Sequence, residues 1–438
     1  MTAPIDRRTT LLALSAALVA ACGGGSGSPT PSAAAPRPSP PPPPILPPPP
    51  PPPPPPWQRQ LPQGTLLVTV VAWSDLLAGA IVSAADNCCY GSTHPPGDAV
   101  AAARAFLAGH DALNAVTRRY QPYAYAPVPD ASADARLAYG TAVYLSLKNR
   151  VSFYGDTFLQ QAYDALLALV PAGAAATRGI EIGRASADAV AAALAGRPSF
   201  DVAWTPSAAQ LPGRFRAAAT DFVNDPSEVG RRGLFAAELA DQLLTAPHAL
   251  DSSAYAADFD EVLRLGEAAS TERTSDQAQA ATVWSDNAVL RAQEVATARL
   301  GEAGLDAWEA ARALALLHMA IADAYTLSME AAARFDRWEP VSAIREAGLD
   351  GNPATQAVVS WQPLIDLNFS YSGFLTVGVG HVPAYPSHDA AVAAAWTGAI
   401  DGLVSPPVAT LTGRRTSGAY GPGLWTLPMP TPRPGESA

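Results

Sequence analysis

Lysine is almost missing from this chain: Lys148 is the only one, and arginine supplies the rest of the basic charge. The balance is acidic, with a formal net charge of −11, and no basic stripe carries interleaved aromatics, so a nucleic-acid backbone is excluded as a partner. Cysteine is nearly as scarce, at three residues. Two of them, Cys88 and Cys89, are neighbours followed by the turn-like Tyr90-Gly91-Ser92. A bond between them closes a small ring that strains the intervening peptide, although an oxidising compartment permits it. With no second cysteine pair and no close histidine pair, tetrahedral zinc lacks ligands, and no metal site is expected. The apolar run from Leu11 to Ala21 falls short of the roughly 20 residues that cross a bilayer as a helix.

That length suits the core of a signal peptide. Arg7-Arg8 precede the run, as in a twin-arginine export signal, and it ends in Val19-Ala20-Ala21-Cys22, which resembles a lipobox. Residues 1–22 are therefore expected to export the chain, with Cys22 diacylated and the membrane a partner through that anchor, facing the periplasm or the cell exterior. An ordinary secretory signal with a chance cysteine changes the anchoring but not the compartment. Residues 23–62 turn from Gly/Ser to almost pure proline, which builds no core and forms an extended polyproline spacer. From residue 406 to 438 the apolar periods stop, and a tail of low order is expected; a truncated or frameshifted end is one source of such a tail.

Between these ends, residues 63–405 read as one all-α domain. Apolar residues recur at helical spacing over Asp98–Tyr120, Asp134–Arg150, Asp156–Leu169, Ala174–Leu194, Tyr255–Leu265, Ser275–Leu300 and Leu305–Phe335. In the last of these, Ala311, Leu314, Ala315, His318, Ala322 and Tyr325 share a face, predicting a helix buried in a bundle with His318 as a satisfied core histidine.

Four local signatures follow in order. They are His110-Asp111-Ala112-Leu113-Asn114-Ala115 with Tyr120-Gln121-Pro122-Tyr123, then Arg273-Thr274-Ser275-Asp276-Gln277 with Trp284. Next come Trp338-Glu339-Pro340-Val341-Ser342-Ala343-Ile344-Arg345 with Gly351-Asn352-Pro353 and Trp361-Gln362-Pro363, and last Tyr385-Pro386-Ser387-His388-Asp389. In this order they resemble the vanadium-dependent haloperoxidase and type 2 phosphatidic acid phosphatase superfamily, from about Val100 to about Ala395. The resemblance implies a helical bundle that traps vanadate or phosphate. In that family a lysine and two arginines neutralise the oxyanion, a serine and a glycine amide donate to it, and one histidine binds or attacks its central atom while a second serves as acid or base.

Carried over residue by residue, the lysine falls on Ala332 and the first arginine on Glu339, ahead of the retained Pro340. A carboxylate there opposes an oxyanion by several kcal/mol. Ser387 matches the serine, but its hydroxyl is equally a helix N-cap. The glycine position holds His388 and the histidine position Asp389, whereas a one-residue deletion would make His388 the catalytic histidine. The distal arginine is echoed by Arg414, with Tyr420 where the second histidine belongs. Arg334 and Arg337 lie close enough in sequence to replace the lost cations, out of helical phase with them. The candidate site is thus His388 and Asp389 for catalysis, with Ser387, Arg334, Arg337 and Arg414 for the anion and vanadate as the implied cofactor. Two readings stay open: a degenerate homologue, and an active haloperoxidase or phosphomonoesterase that uses His388 with compensating arginines.

Overall fold

The structure is a computed structural model. It describes residues 65–87, 95–150, 153–195, 251–284, 287–302, 304–365, 381–403, 410–415 and 423–428, with shorter pieces between 197 and 250. The leader with Cys22, the proline-rich segment, Cys88, Cys89 and Tyr420 lie outside the described residues.

Eleven α-helices are described: α1 Leu66–Asn87, α2 Pro95–Val116, α3 Ala135–Leu147, α4 Phe153–Leu169, α5 Ala174–Ala195, α6 Ser253–Gly266, α7 Ser275–Trp284, α8 Ala288–Glu302, α9 Ala307–Phe335, α10 Pro340–Arg345 and α11 His388–Leu403. The fold is all-α, as the periodicity predicts. Within the tail, β1 (Thr410–Arg415) and β2 (Gly423–Pro428) pair antiparallel, with Thr410 opposite Pro428.

Helix α9 is the axis of the bundle, packed against α2, α11 and α1. Its start is fixed by a capping box, in which the Asp306 carboxylate accepts from Trp308 N and Glu309 N while Glu309 accepts from Asp306 N. It ends where Asp336 turns left-handed, at φ 48°. Alanines at 310, 311, 315 and 322 are buried, which lets neighbouring helices approach closely. Helices α3 and α5 come closer still: a Cβ at Gly179 or Gly183 would meet the carbonyl oxygen of Asp134 or Ala138 at 2.5 and 2.6 Å. A second core of Tyr255, Phe259, Trp338, Ile344 and Trp361 joins α6 to α10 beside the main one.

Three expectations need correction. Ser275–Leu300 is two helices, because the Asn287 side chain accepts from Val289 N (3.0 Å) and begins α8 anew. Helix α1 had no counterpart among the expected helices: it is apolar on every face and rich in valine, so no stripe stands out. His318 is buried as expected but not satisfied. Its ring stacks on Phe106 at 4.9 Å, and neither ring nitrogen has a hydrogen-bond partner among the described residues.

Candidate functional site

The third and fourth signatures meet at the carboxyl end of α9. Residues 336–338 leave the helix and pair on one side with 213–215, through Phe215 N to Asp336 O (2.9 Å) and Trp338 N to Gly213 O (3.1 Å). On the other side Ala384 N donates to Arg337 O (2.9 Å), and Tyr385 packs edge-on against Phe335 at 5.5 Å. Segment 381–389 is thereby laid along the end of α9, and it brings the His388 ring to 6.4 Å from that of Tyr325. The Asp336 carboxylate holds the left-handed turn in place, accepting from Trp204 Nε1 (2.8 Å) and lying 3.5 Å from Arg214.

Within this frame Glu339 does not cap α10. Its carboxylate reaches His381, whose Nδ1 lies 2.9 Å from Oε2 and 3.0 Å from Oε1, with side chains only 12% and 8% exposed. His381 was not among the residues expected at the site, and a contact across 42 positions leaves no local signal in sequence. Ala332 is buried at 2% exposure, so no long cationic side chain occupies its position.

Ser387 stands at the start of α11 and accepts from Ala390 N (3.2 Å), the N-cap role its position predicts. His388 Nε2 lies 3.3 Å from Asp389 Oδ1. Burial raises the Asp389 pKa and the His388 charge opposes that rise, while the side chain keeps 37% of its exposure. Tyr325 behind this pair is 1% exposed, and its hydroxyl pKa is pushed well up by burial and then by Asp389 and Asp98.

The two arginines of the α9 end have other partners. Arg334 lies along the helix surface and pairs with Glu330, with Nε 2.8 Å from Oε1. Arg337 donates to the His248 carbonyl and stacks over Tyr255 at 5.3 Å; burial, then Arg214, lower its pKa. Arg414 lies in β1 opposite Leu424. The structure thus brings Ser387, His388 and Asp389 together and leaves Arg334 and Arg337 in separate contacts. No group of three metal-ligating side chains occurs among the described residues.

The first signature has a structural task. Asp111, fully buried, accepts from Tyr123 N, Ala124 N and Tyr125 N at 2.7–2.8 Å, and Asn114 accepts from Arg119 N and Tyr120 N. Asp323 on α9 repeats the device without a sequence signature, accepting from Phe235 N, Ala236 N and Ala237 N at 2.6–2.9 Å. Burial pushes its pKa up while those three amides pull against it.

No family model matches the chain, and no curated protein matches it. Solved structures do. A bacterial vanadium-dependent iodoperoxidase superposes with a TM-score of 0.60 at 17% identity, over 81% of this chain and 86% of that one. A bacterial vanadium-dependent chloroperoxidase solved in apo form gives 0.42 at 14% identity, over 57% of this chain and 64% of that one. The helical bundle of this chain therefore has the fold of the vanadium-dependent iodoperoxidase.

Proposed function

We propose that the chain is an exported lipoprotein whose haloperoxidase-like domain has lost the oxyanion site and with it the family's catalysis. Vanadium is named for the iodoperoxidase of like fold. The residues here do not fit vanadate. The observation that carries the reading is the Glu339–His381 pair: a carboxylate occupies the position that the resemblance gives to an arginine, and it is held there by a buried partner. An incoming oxyanion meets that negative charge, while Arg334 and Arg337 would each have to abandon a partner already engaged. A charge-assisted hydrogen bond to the oxyanion is worth roughly 1.5–3 kcal/mol, so the absence of the two at positions 332 and 339 removes about two to four powers of ten in affinity.

The competing reading, an active enzyme built on His388, draws on the 3.3 Å approach of His388 to Asp389, which would hold the imidazole in one tautomer for acid–base work. Assays of iodide and bromide peroxidation with vanadate and peroxide, and of phosphomonoester hydrolysis, separate the two. We expect neither activity above background; turnover that His388→Ala abolishes would establish the competing reading. The anchor is tested by labelling with radioactive palmitate, which we expect to enter the wild type and not Cys22→Ser. Equal labelling of both would remove the lipoprotein assignment.

A further inference from the structure

At the opposite end of the bundle from the candidate site, the start of α9 and the loop after α2 present a ladder of alternating aromatic and arginine side chains. Arg119 lies over Trp308 at 4.4 Å, and Arg312, one helical turn on from Trp308, lies over Tyr120 at 5.3 Å. The loop residues are fixed, because Asn114 Oδ1 accepts the amides of Arg119 and Tyr120 at 3.0 and 2.7 Å. The indole is fixed too, donating to the carbonyls of Leu113 and Thr117. Both rings remain part-exposed. Arg312 has no hydrogen bond or ion pair among the described residues, and its Nε is buried without an acceptor. Arg119 pairs with Asp306, and Glu309 adds a second acid at the rim.

The connectivity directs one segment of the chain to this end. Trp308 touches Leu113 while His318 touches Phe106, so α9 runs antiparallel to α2. Asn287 donates to Asp98, which sets the start of α8 beside the start of α2, at the far end from the ladder. Helix α1 contacts α8 through Ser74 with Gln293 and Thr297. Eight residue steps join Asn87 to Pro95, a reach of at most about 28 Å, too short for α1 to lie parallel to α8 and still return to the start of α2. Leu66 therefore lies at the ladder end, and the chain that precedes it approaches there.

What precedes it is the unbroken run Pro47–Pro56, followed by Trp57-Gln58-Arg59. A polyproline helix has no amide donors; it offers solvated carbonyl acceptors and a ridged apolar surface, and it docks on aromatic-lined grooves. The ladder is the complement, with part-exposed aromatic rings for the pyrrolidines and part-exposed guanidinium groups to donate to the carbonyls, while Glu309 matches Arg59 in charge. We propose that Pro47–Pro56 docks in its own chain on the ladder of Trp308, Arg119, Tyr120 and Arg312, so that the segment is a strap that sets the domain's position rather than a free spacer.

The test measures labelling of Arg312 by an arginine-selective dicarbonyl in the full chain, against a variant in which Pro47–Pro56 is replaced by a Gly/Ser run of equal length. The exchange lies outside the helical core, and an equal far-ultraviolet helical signal with a cooperative melt in each would establish that both forms are folded. At an effective concentration on the order of 1 mM for a short tether, a dissociation constant of about 0.1 mM slows labelling of the wild type roughly tenfold. A synthetic proline decapeptide added to the variant should restore the protection. Equal labelling of both chains overturns the proposal, and protection that vanishes on dilution assigns the strap to a second copy and overturns docking within one chain. Arg264, exposed on α6, which packs against α10 beyond the carboxyl end of α9, serves as the internal reference and should label equally in both.

Discussion

Two regions of this bundle treat buried carboxylates in opposite ways. At the α2–α9 centre, Asp111 and Asp323 each accept from three successive backbone amides, so a loop is pinned to a helix, and Asp111 touches the His110 ring as well. At the carboxyl end of α9 the charges face side chains instead: Glu339 takes His381, Arg334 takes Glu330, and Asp389 lies against His388. Amide-satisfied carboxylates constrain the scaffold whatever the domain does. On the proposed reading, carboxylates paired with side chains at the position that the resemblance gives to the anion occupy partners that an oxyanion would require.

The contrast can be sharpened first where the scaffold is least well satisfied. Burial drives the His318 pKa down from 6.5 to about 3. Between those values the unfolded chain binds a proton that the folded chain refuses, so this proton linkage costs nothing above about pH 6.5 and stability falls as the pH drops toward 3. The full fall is on the order of 4–5 kcal/mol. Urea unfolding from pH 7 to pH 4 should show about 3 kcal/mol of this loss, and His318→Leu, which leaves no nitrogen unsatisfied, should flatten it and raise stability at pH 7. An unchanged pH slope in the variant would assign the acid sensitivity to other groups.

Next in size is Asp323→Ala, which strands three amide donors in the core and should cost about 4 kcal/mol, read as a lowered urea midpoint. Asp323→Asn, which keeps one carbonyl acceptor, should lose less. A cost below about 1 kcal/mol for the alanine variant would mean that the 235–237 loop is not held by this carboxylate. The smallest effect belongs to the site. Ser387→Ala removes one N-cap acceptor and should lower stability by about 1 kcal/mol, the ordinary value for a cap. Far-ultraviolet melting suffices to detect it.

How much of this was legible in sequence follows from the range over which each signal acts. Helix α9 showed itself through a single apolar face, and Ser387 as an N-cap is a signal within four residues. Helix α1 had no face to show, being apolar all round, and the break before α8 depends on one asparagine side chain. The substitutions Ala332 and Glu339 were visible only because a resemblance supplied positions to compare. His381, Asp323 and the occupation of Arg337 were not visible at all, since their partners lie 42, 86–88 and 89 residues away and only the fold brings them together.

The measurement that bears most directly on the proposed loss of the oxyanion site is vanadate binding by isothermal titration, on the full-length wild type and on a double variant Ala332→Lys with Glu339→Arg. The wild type should show no saturable binding in the micromolar range, and the double variant, with the two cations returned and the carboxylate removed, should bind measurably more tightly. Micromolar binding by the wild type that His388→Ala abolishes would contradict the account and return His388 to the role of catalytic residue.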